Sequence, residues 1–415
     1  MQTQHYDVVI IGAGPAGSLA ASLLHQGGRR VLVLEKEQFP RFSIGESLLP
    51  QSMVFLEQAG LLQNVEQHAE QLGFQFKNGA AFHRAGVDTQ FDFTEKFTPG
   101  PGTTFQVKRA LFDKTLADTA QQQGVEIRYQ HSVQACQTSS ERAQLTVLDT
   151  EGVAYQVNAE FVLDASGFGR VLPRLLQLEK SSEFAVRCSF FAHFNDKIDC
   201  DVFDRNKILI TVHPEHHDIW YWLIPFSDGT ASVGVVIDPV HLAGQDLDLC
   251  DDILQGYLAQ DPNLARLLSQ AEQIVPARKI QGYSADVTSL YGPRFALLGN
   301  AGEFLDPVFS SGVTIALRSA ALIAPLVERY LAGEDVDFEI EYSQALKQGV
   351  NCFKTFVKAW YDQRFQDVIF HQQQDDTVKK MISSILAGYA WDESNPYVKQ
   401  SERRLNVLAE LCQSS

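Results

Sequence analysis

Residues 5–37, HYDVVIIGAGPAGSLAASLLHQGGRRVLVLEKE, constrain the fold more than any other stretch. Residues 8–11 are a short, continuous, β-branched apolar run, as a strand buried on both faces requires. The run meets Gly12-Ala13-Gly14-Pro15-Ala16-Gly17 and then an Ala/Leu-rich helix closed by Gly27 and Gly28. A second apolar run, 31–34, delivers Glu35. Gly12 permits a tight turn, Gly14 lets the backbone approach a pyrophosphate, and Gly17 lets the helix pack on the strand. The helix N-terminus offers free N–H groups to phosphate. Glu35, 23 residues after Gly12, is placed to accept from a ribose hydroxyl. Strand, loop, helix, strand and acid in this order predict a dinucleotide-binding βαβ unit.

A chain of 415 residues exceeds one small core and predicts two or three structural units. The polar residues 1–6 lead directly into the first strand, which leaves no room for a signal peptide. No apolar run reaches the roughly 18 residues of a membrane span. The six cysteines (136, 188, 200, 250, 352 and 412) show no CxxC spacing, which argues against a disulfide framework or a metal site. These features together predict a cytoplasmic protein. The net charge of −17 is spread along the chain and argues against nucleic acid as a partner. It would also repel an acidic carrier protein unless a local basic patch overrides it.

After Glu35 and Lys36, Pro40 ends the extended path, and Arg41, Ile44, Gly45 and Glu46 precede a helix expected over 50–59. The loop would pass along an extended cofactor. Residues 73–83, GFQFKNGAAFH, alternate as one strand with Lys77 opposite Phe74 and Phe76. On the residues alone, Lys77 is a solvated lysine on an edge strand. Residues 82–103 are irregular, as a substrate-covering loop would be. A helix is expected over 106–123, strands over 125–129 and 132–137, and a hairpin of 145–148 with 154–157. Residues 161–164 form a further strand breaking at Ala165, Ser166 and Gly167.

Four aromatic, alternating segments (188–194, 208–213, 219–224 and 231–237) read as a second, antiparallel sheet, followed by helix over 246–271. Residues 295–317 run from a buried strand through Gly299-Asn300-Ala301-Gly302 and Asp306-Pro307 to a helix starting near Ser311-Gly312. Such a helix head suits an anion. Residues 336–415 read as largely helical, interrupted by a short Gln372-Gln373-Gln374 patch.

Within the second sheet, Trp220-Tyr221-Trp222-Leu223-Ile224-Pro225 matches a WxWxIP pattern. With the RxxxGES run from Arg41 to Ser47 and the glycine, DP and SSG elements of 299–312, it resembles the flavin-dependent halogenases of the FAD-dependent monooxygenase superfamily. The resemblance implies an α/β fold. A Rossmann-like FAD-binding domain would be assembled from 1–75, 105–178 and 282–335. A substrate-side antiparallel sheet would come from 76–104 and 179–281, and a helical region from 336–415.

FAD would be held by Gly12, Ala13, Gly14, Pro15, Ala16 and Gly17, by Glu35, Lys36, Arg41, Ile44, Gly45, Glu46 and Arg109, and by the backbone at Val133. Ala165, Ser166, Gly167, Gly299, Asn300, Asp306, Gly312 and Val313 would complete that set. The family's halide position corresponds to Ser311 and Gly312. Trp220, Trp222, Ile224 and Pro225 would form a wall keeping organic substrate from the flavin, and Lys77 would aim electrophilic halogen from beyond it. Two departures matter. Asn300 replaces the usual aspartate, so its amide accepts without charge. Phe309 replaces the glutamate of tryptophan halogenases, as in the branch acting on phenols or pyrroles, often tethered to carrier proteins. With one dinucleotide fingerprint and no second for a nicotinamide, the resemblance implies that a separate reductase supplies reduced FAD, or that free NAD(P)H visits briefly.

Three other functions stay open on the same residues. They are an aromatic hydroxylase or oxidase in which Lys77 and the tryptophans are structural, a flavin-dependent double-bond reductase, and a non-enzymatic flavin-binding module.

Overall fold

The apolar runs assemble into two large sheets. The computed structural model describes residues 4–199, 201–373 and 375–414, so residues 1–3, Cys200, Gln374 and Ser415 lie outside the described residues. In the first sheet, Gln4–Ile11 lies between Val31–Glu35 and Ala154–Asp164, all parallel, with Val8 opposite Val31 on one side and Phe161 on the other. Phe295–Leu297 and Glu126–Tyr129 extend it in parallel on the two flanks. Residues 8–11 and 31–34 are almost wholly buried, which their unbroken β-branched character requires. The helices Pro15–Gln26 and Ser311–Leu331 pack on each other. Ala154–Asp164 is one long strand where two were expected. Its first half pairs with Ala143–Leu148 and its second half with Gln4–Ile11.

The second sheet contains the four expected antiparallel strands, now Cys188–Asn195, Thr230–Ile237, Trp220–Pro225 and Lys207–Val212. Gly79–Arg84 joins them in parallel, with Phe82 opposite Ile210. Val87–Asp92 then closes a hairpin with it, so part of the stretch expected to be irregular is a strand. The outer face of this sheet has its own core, in which Phe190, Tyr221 and Val235 cluster with Ile253, Leu254 and Leu258. The expected single helix over 246–271 is two, Cys250–Leu258 and Pro262–Leu267. Asp261 starts the second by accepting from Leu264 N–H at 2.8 Å.

The expected strand 73–83 breaks at Asn78. Gln75–Lys77 pairs with Thr104–Gln106 in a separate ribbon. Asn78 N–H donates to Asn206 O at 2.9 Å and Asn78 O accepts from Phe93 N–H at 2.7 Å, carrying the chain across to the large sheet. Lys77 and Phe76 do point oppositely, but it is Phe76 that is exposed (44%) and Lys77 that is buried (1%). Phe74 is buried as well.

Ser311–Leu331, 21 residues, is long and apolar enough to cross a membrane, contrary to the expectation that no such run exists; it lies mostly buried in the protein. The C-terminal region is helical, including Ala345–Tyr361, Arg364–Phe370, Asp376–Leu386 and Ser401–Ser414.

Candidate active site

The parallel strands of the first sheet all end at one edge, and their following loops enclose a cavity of about 620 Å³. Crevices outside the carboxyl ends of parallel strands are where open α/β sheets bind ligands. Gly12, Gly14, Pro15, Ala16, Glu35, Lys36, Arg41, Ile44, Gly45, Glu46, Arg109 and Val133 line it. So do Ala165, Ser166, Gly167, Gly299, Asn300, Gly312 and Val313.

The glycine loop is held by close approaches that no side chain would survive. A Cβ on Gly12, whose φ is +97°, would lie 2.6 Å from Ala165 O, and one on Gly17 would lie 1.9 Å from Gly12 O. Gly17 is thus not in the cavity lining itself; it packs against Gly12, which is. Ala13, fully buried, donates its N–H to Glu35 Oε2 at 2.9 Å, while Glu35 Oε1 accepts from Glu37 N–H at 3.0 Å. Each carboxylate oxygen retains acceptor capacity, and Glu35 lines the cavity. Glu46 Oε1 meets His193 Nε2 at 2.7 Å, which ties the loop to the second sheet.

Two acids escaped the sequence reading. Asp113, fully buried, accepts from Arg41 Nη1 at 2.9 Å and from Arg109 Nε and Nη2 at 2.9 and 3.1 Å. Arg109 Nη1 also donates to Ile44 O. Asp113 thus sets both cavity arginines, and its spacing of four from Arg109 on a helix was the available signal. Asp164, also fully buried, accepts from Ser166 N–H at 2.9 Å and Leu172 N–H at 2.6 Å and fixes the Ala165–Gly167 turn. Burial pushes its carboxyl up from the ordinary value.

Trp220, Trp222 and Ile224 face the cavity from the second sheet. The two indoles lie 6.0 Å apart, and Trp222 Nε1–H donates to Ser232 Oγ at 3.2 Å. Gly234, opposite Trp222, makes room: a Cβ there would meet the Trp222 ring at 2.3 Å. Strand alternation turns Pro225 to the other face with Tyr221 and Leu223, so it closes the strand rather than facing the cavity.

Lys77 lies outside the cavity lining. Its Nζ donates to Ser47 Oγ and Leu48 O, both at 2.8 Å, and stands 5.5 Å from the centre of the Phe93 ring. Ser47 itself lines the cavity. Burial alone lowers the amine from its ordinary 10.5 to about 7.

Three further residues are set back. Ser311 is buried behind Gly312 at the head of its helix. Asp306 accepts from Val308 N–H at 3.0 Å and Tyr361 O–H at 2.8 Å, and burial pushes its carboxyl up to about 6. Phe309 packs edge-on to Trp360 and Phe365, at 5.7 and 5.4 Å, within a dense aromatic cluster.

A glycine loop at a helix head, a ribose-ready carboxylate, two fixed arginines and an apolar aromatic wall form a donor set that fits a flavin dinucleotide. The family model described as FAD binding domain matches residues 5–244. A 1H-pyrrole-2-carbonyl-[peptidyl-carrier protein] chlorinase of Pseudomonas fluorescens is 29% identical over 98% of this chain and 92% of its own length. The corresponding brominase of Pseudoalteromonas luteoviolacea is 31% identical over 80% of this chain and 79% of its own.

Among solved structures, a flavoprotein/dehydrogenase from Cytophaga hutchinsonii is 40% identical with a TM-score of 0.94, covering 99% of both chains. The flavin-dependent brominase Bmp2 is 27% identical with a TM-score of 0.84, covering 99% of this chain and 100% of its own. The chain is an FAD-dependent oxidoreductase and belongs to the flavin-dependent halogenase family.

Proposed function

We propose that this enzyme halogenates an electron-rich aromatic ring, a phenol or a pyrrole, with Lys77 aiming the halogen. The carriage of pyrrole on a peptidyl carrier protein in two relatives supports a carrier-bound substrate here. Reduced FAD, supplied by a separate reductase, would provide the two electrons and two protons with which oxygen, halide, a further proton and a ring C–H become a carbon–halogen bond and two waters.

The chain's own residues do the rest. The glycine loop and the Arg41–Asp113–Arg109 cluster hold and orient the dinucleotide. The head of Ser311–Leu331 offers free N–H groups and partial positive charge to halide beside Gly312. The tryptophan wall keeps a ring-sized substrate out while a small hypohalous acid passes.

The observation that carries this reading is the setting of Lys77. A neutral amine has two hydrogens, and Ser47 Oγ and Leu48 O take both. The nitrogen lone pair is then the one position left for the incoming oxidant, by hydrogen bond or as a haloamine. Burial brings the amine to about 7, so much of it is neutral at working pH.

The test supplies chemically reduced FAD, oxygen and a reactive phenol or pyrrole, free or carrier-bound, with and without bromide. A bromide-dependent brominated ring is expected. A hydroxylated ring indifferent to bromide would overturn the reading in favour of a monooxygenase.

A further inference from the structure

Trp220 belongs to the wall, yet the group that fixes it comes from the C-terminal helices. Trp220 is 2% exposed, so its indole N–H must find an acceptor inside the protein. The acceptor is Tyr361 Oη at 2.9 Å, on the last residue of Ala345–Tyr361. Tyr361 O–H in turn donates to Asp306 Oδ2 at 2.8 Å. The other Asp306 oxygen takes Val308 N–H at 3.0 Å and caps the turn Pro307–Phe309. That turn passes through Ser310, at φ +56°, into the helix that presents Gly312 to the cavity.

Donor chemistry fixes the direction of the chain. An indole only donates, an ionised carboxylate only accepts, and a phenol does one of each. Tyr361 is therefore the one link that serves both ends. Arg187 holds its ring from above, 4.3 Å from the ring centre, and is itself held by Asp238 at 3.0 Å and Asp218 at 3.4 Å. Burial keeps the phenol protonated, well above its ordinary value.

We propose that Tyr361 is a positioning residue of the halogenation site, its phenol locking the Trp220 indole to the turn that opens the anion-binding helix. Wall and helix head then keep one spacing. The claim rests on the halogenase reading for its chemical consequence, though not for its structural one.

Tyr361→Phe keeps the ring under Arg187 and removes both hydrogen bonds. Three quantities decide the matter: the tryptophan emission of the FAD-free protein, the bromide affinity of the FAD-loaded protein, and the split of reduced-FAD oxidation between brominated monochlorodimedone and hydrogen peroxide. A shifted emission, bromide affinity weaker by about tenfold, a several-fold larger peroxide share and FAD affinity close to the parent's are expected. Emission, bromide affinity and peroxide share equal to the parent's would overturn the proposal.

If Tyr361→Phe does not fold, Trp220→Phe removes the indole donor alone and should move bromide affinity and peroxide share in the same direction by less. Parent values for both in that variant would equally overturn the proposal. In a foldable pair, the double variant should be no worse than Tyr361→Phe, because both changes break one chain; additive losses would contradict it. A parent protein that brominates nothing would sink the halogenase reading, while emission and bromide affinity would still judge Tyr361.

Discussion

The cofactor cavity and the surroundings of Lys77 are built on opposite principles. On the cofactor side, backbone does most of the holding, with glycines at enforced approaches and free N–H groups at helix heads. Around Lys77, packing does more of it, with one side-chain and one backbone acceptor for the amine. The amine is fixed by Ser47 and Leu48, 30 and 29 residues upstream, and stands near the Phe93 ring, while Phe309 packs on Trp360 and Phe365. A cradle made of backbone grips an anion of fixed shape. An amine placed by packing can be desolvated and tuned. The first is suited to holding a cofactor, the second to tuning a reactive amine.

Substitutions can break this contrast from either side. The largest effect is expected from Gly17→Ala, whose Cβ would lie 1.9 Å from a backbone oxygen that no side-chain rotation relieves. The purified protein should carry almost no flavin absorbance, whereas Lys77→Met should load normally. Next, Asp113→Ala strands two arginines that are each largely buried, a change that typically costs about 3–5 kcal/mol. Melting and FAD titration should both show it.

Gly234→Ala is smaller. Overpacking against the Trp222 ring should cost about 1–3 kcal/mol and displace the indole, seen as a lower melting temperature and altered tryptophan emission with FAD still bound.

The last effect concerns pH. Because burial lowers Lys77 to about 7 while the unfolded chain keeps about 10.5, the unfolded state binds more protons between those values. Stability should therefore rise with pH across that window, and the Lys77 contribution to the slope should vanish in Lys77→Met. Product formation should likewise climb with pH and level off above about 7 as the amine becomes neutral.

The same contrast explains what was legible in the sequence. The cradle could be read because its glycines, helix and Glu35 are neighbours along the chain, and their spacing is dictated by contacts a few residues apart. Trp220 and Trp222 could be paired because strand alternation is local. Lys77 could not be placed from its alternation, which correctly opposed it to Phe76 but could not say which side was solvent. That depended on the break at Asn78, and hence on pairing with Thr104–Gln106 and with Lys207–Val212. Tyr361 lay only within the region read as largely helical, because its partners, Trp220 and Asp306, lie 141 and 55 residues away. Pro225 was counted into the wall by motif, and alternation returned it to the opposite face.

The central claim is that an oxidant made on one side of the wall is spent on the other by the amine of Lys77. The direct measurement compares the parent with Lys77→Ala, both loaded with chemically reduced FAD and given oxygen and bromide, scoring two products at once. Bromination of monochlorodimedone reports oxidant that is made and escapes; bromination of the aromatic substrate reports oxidant that is aimed. The variant should still brominate the trap while substrate bromination falls by about a hundredfold or more. Equal loss of both products, or no loss of either, would contradict the account.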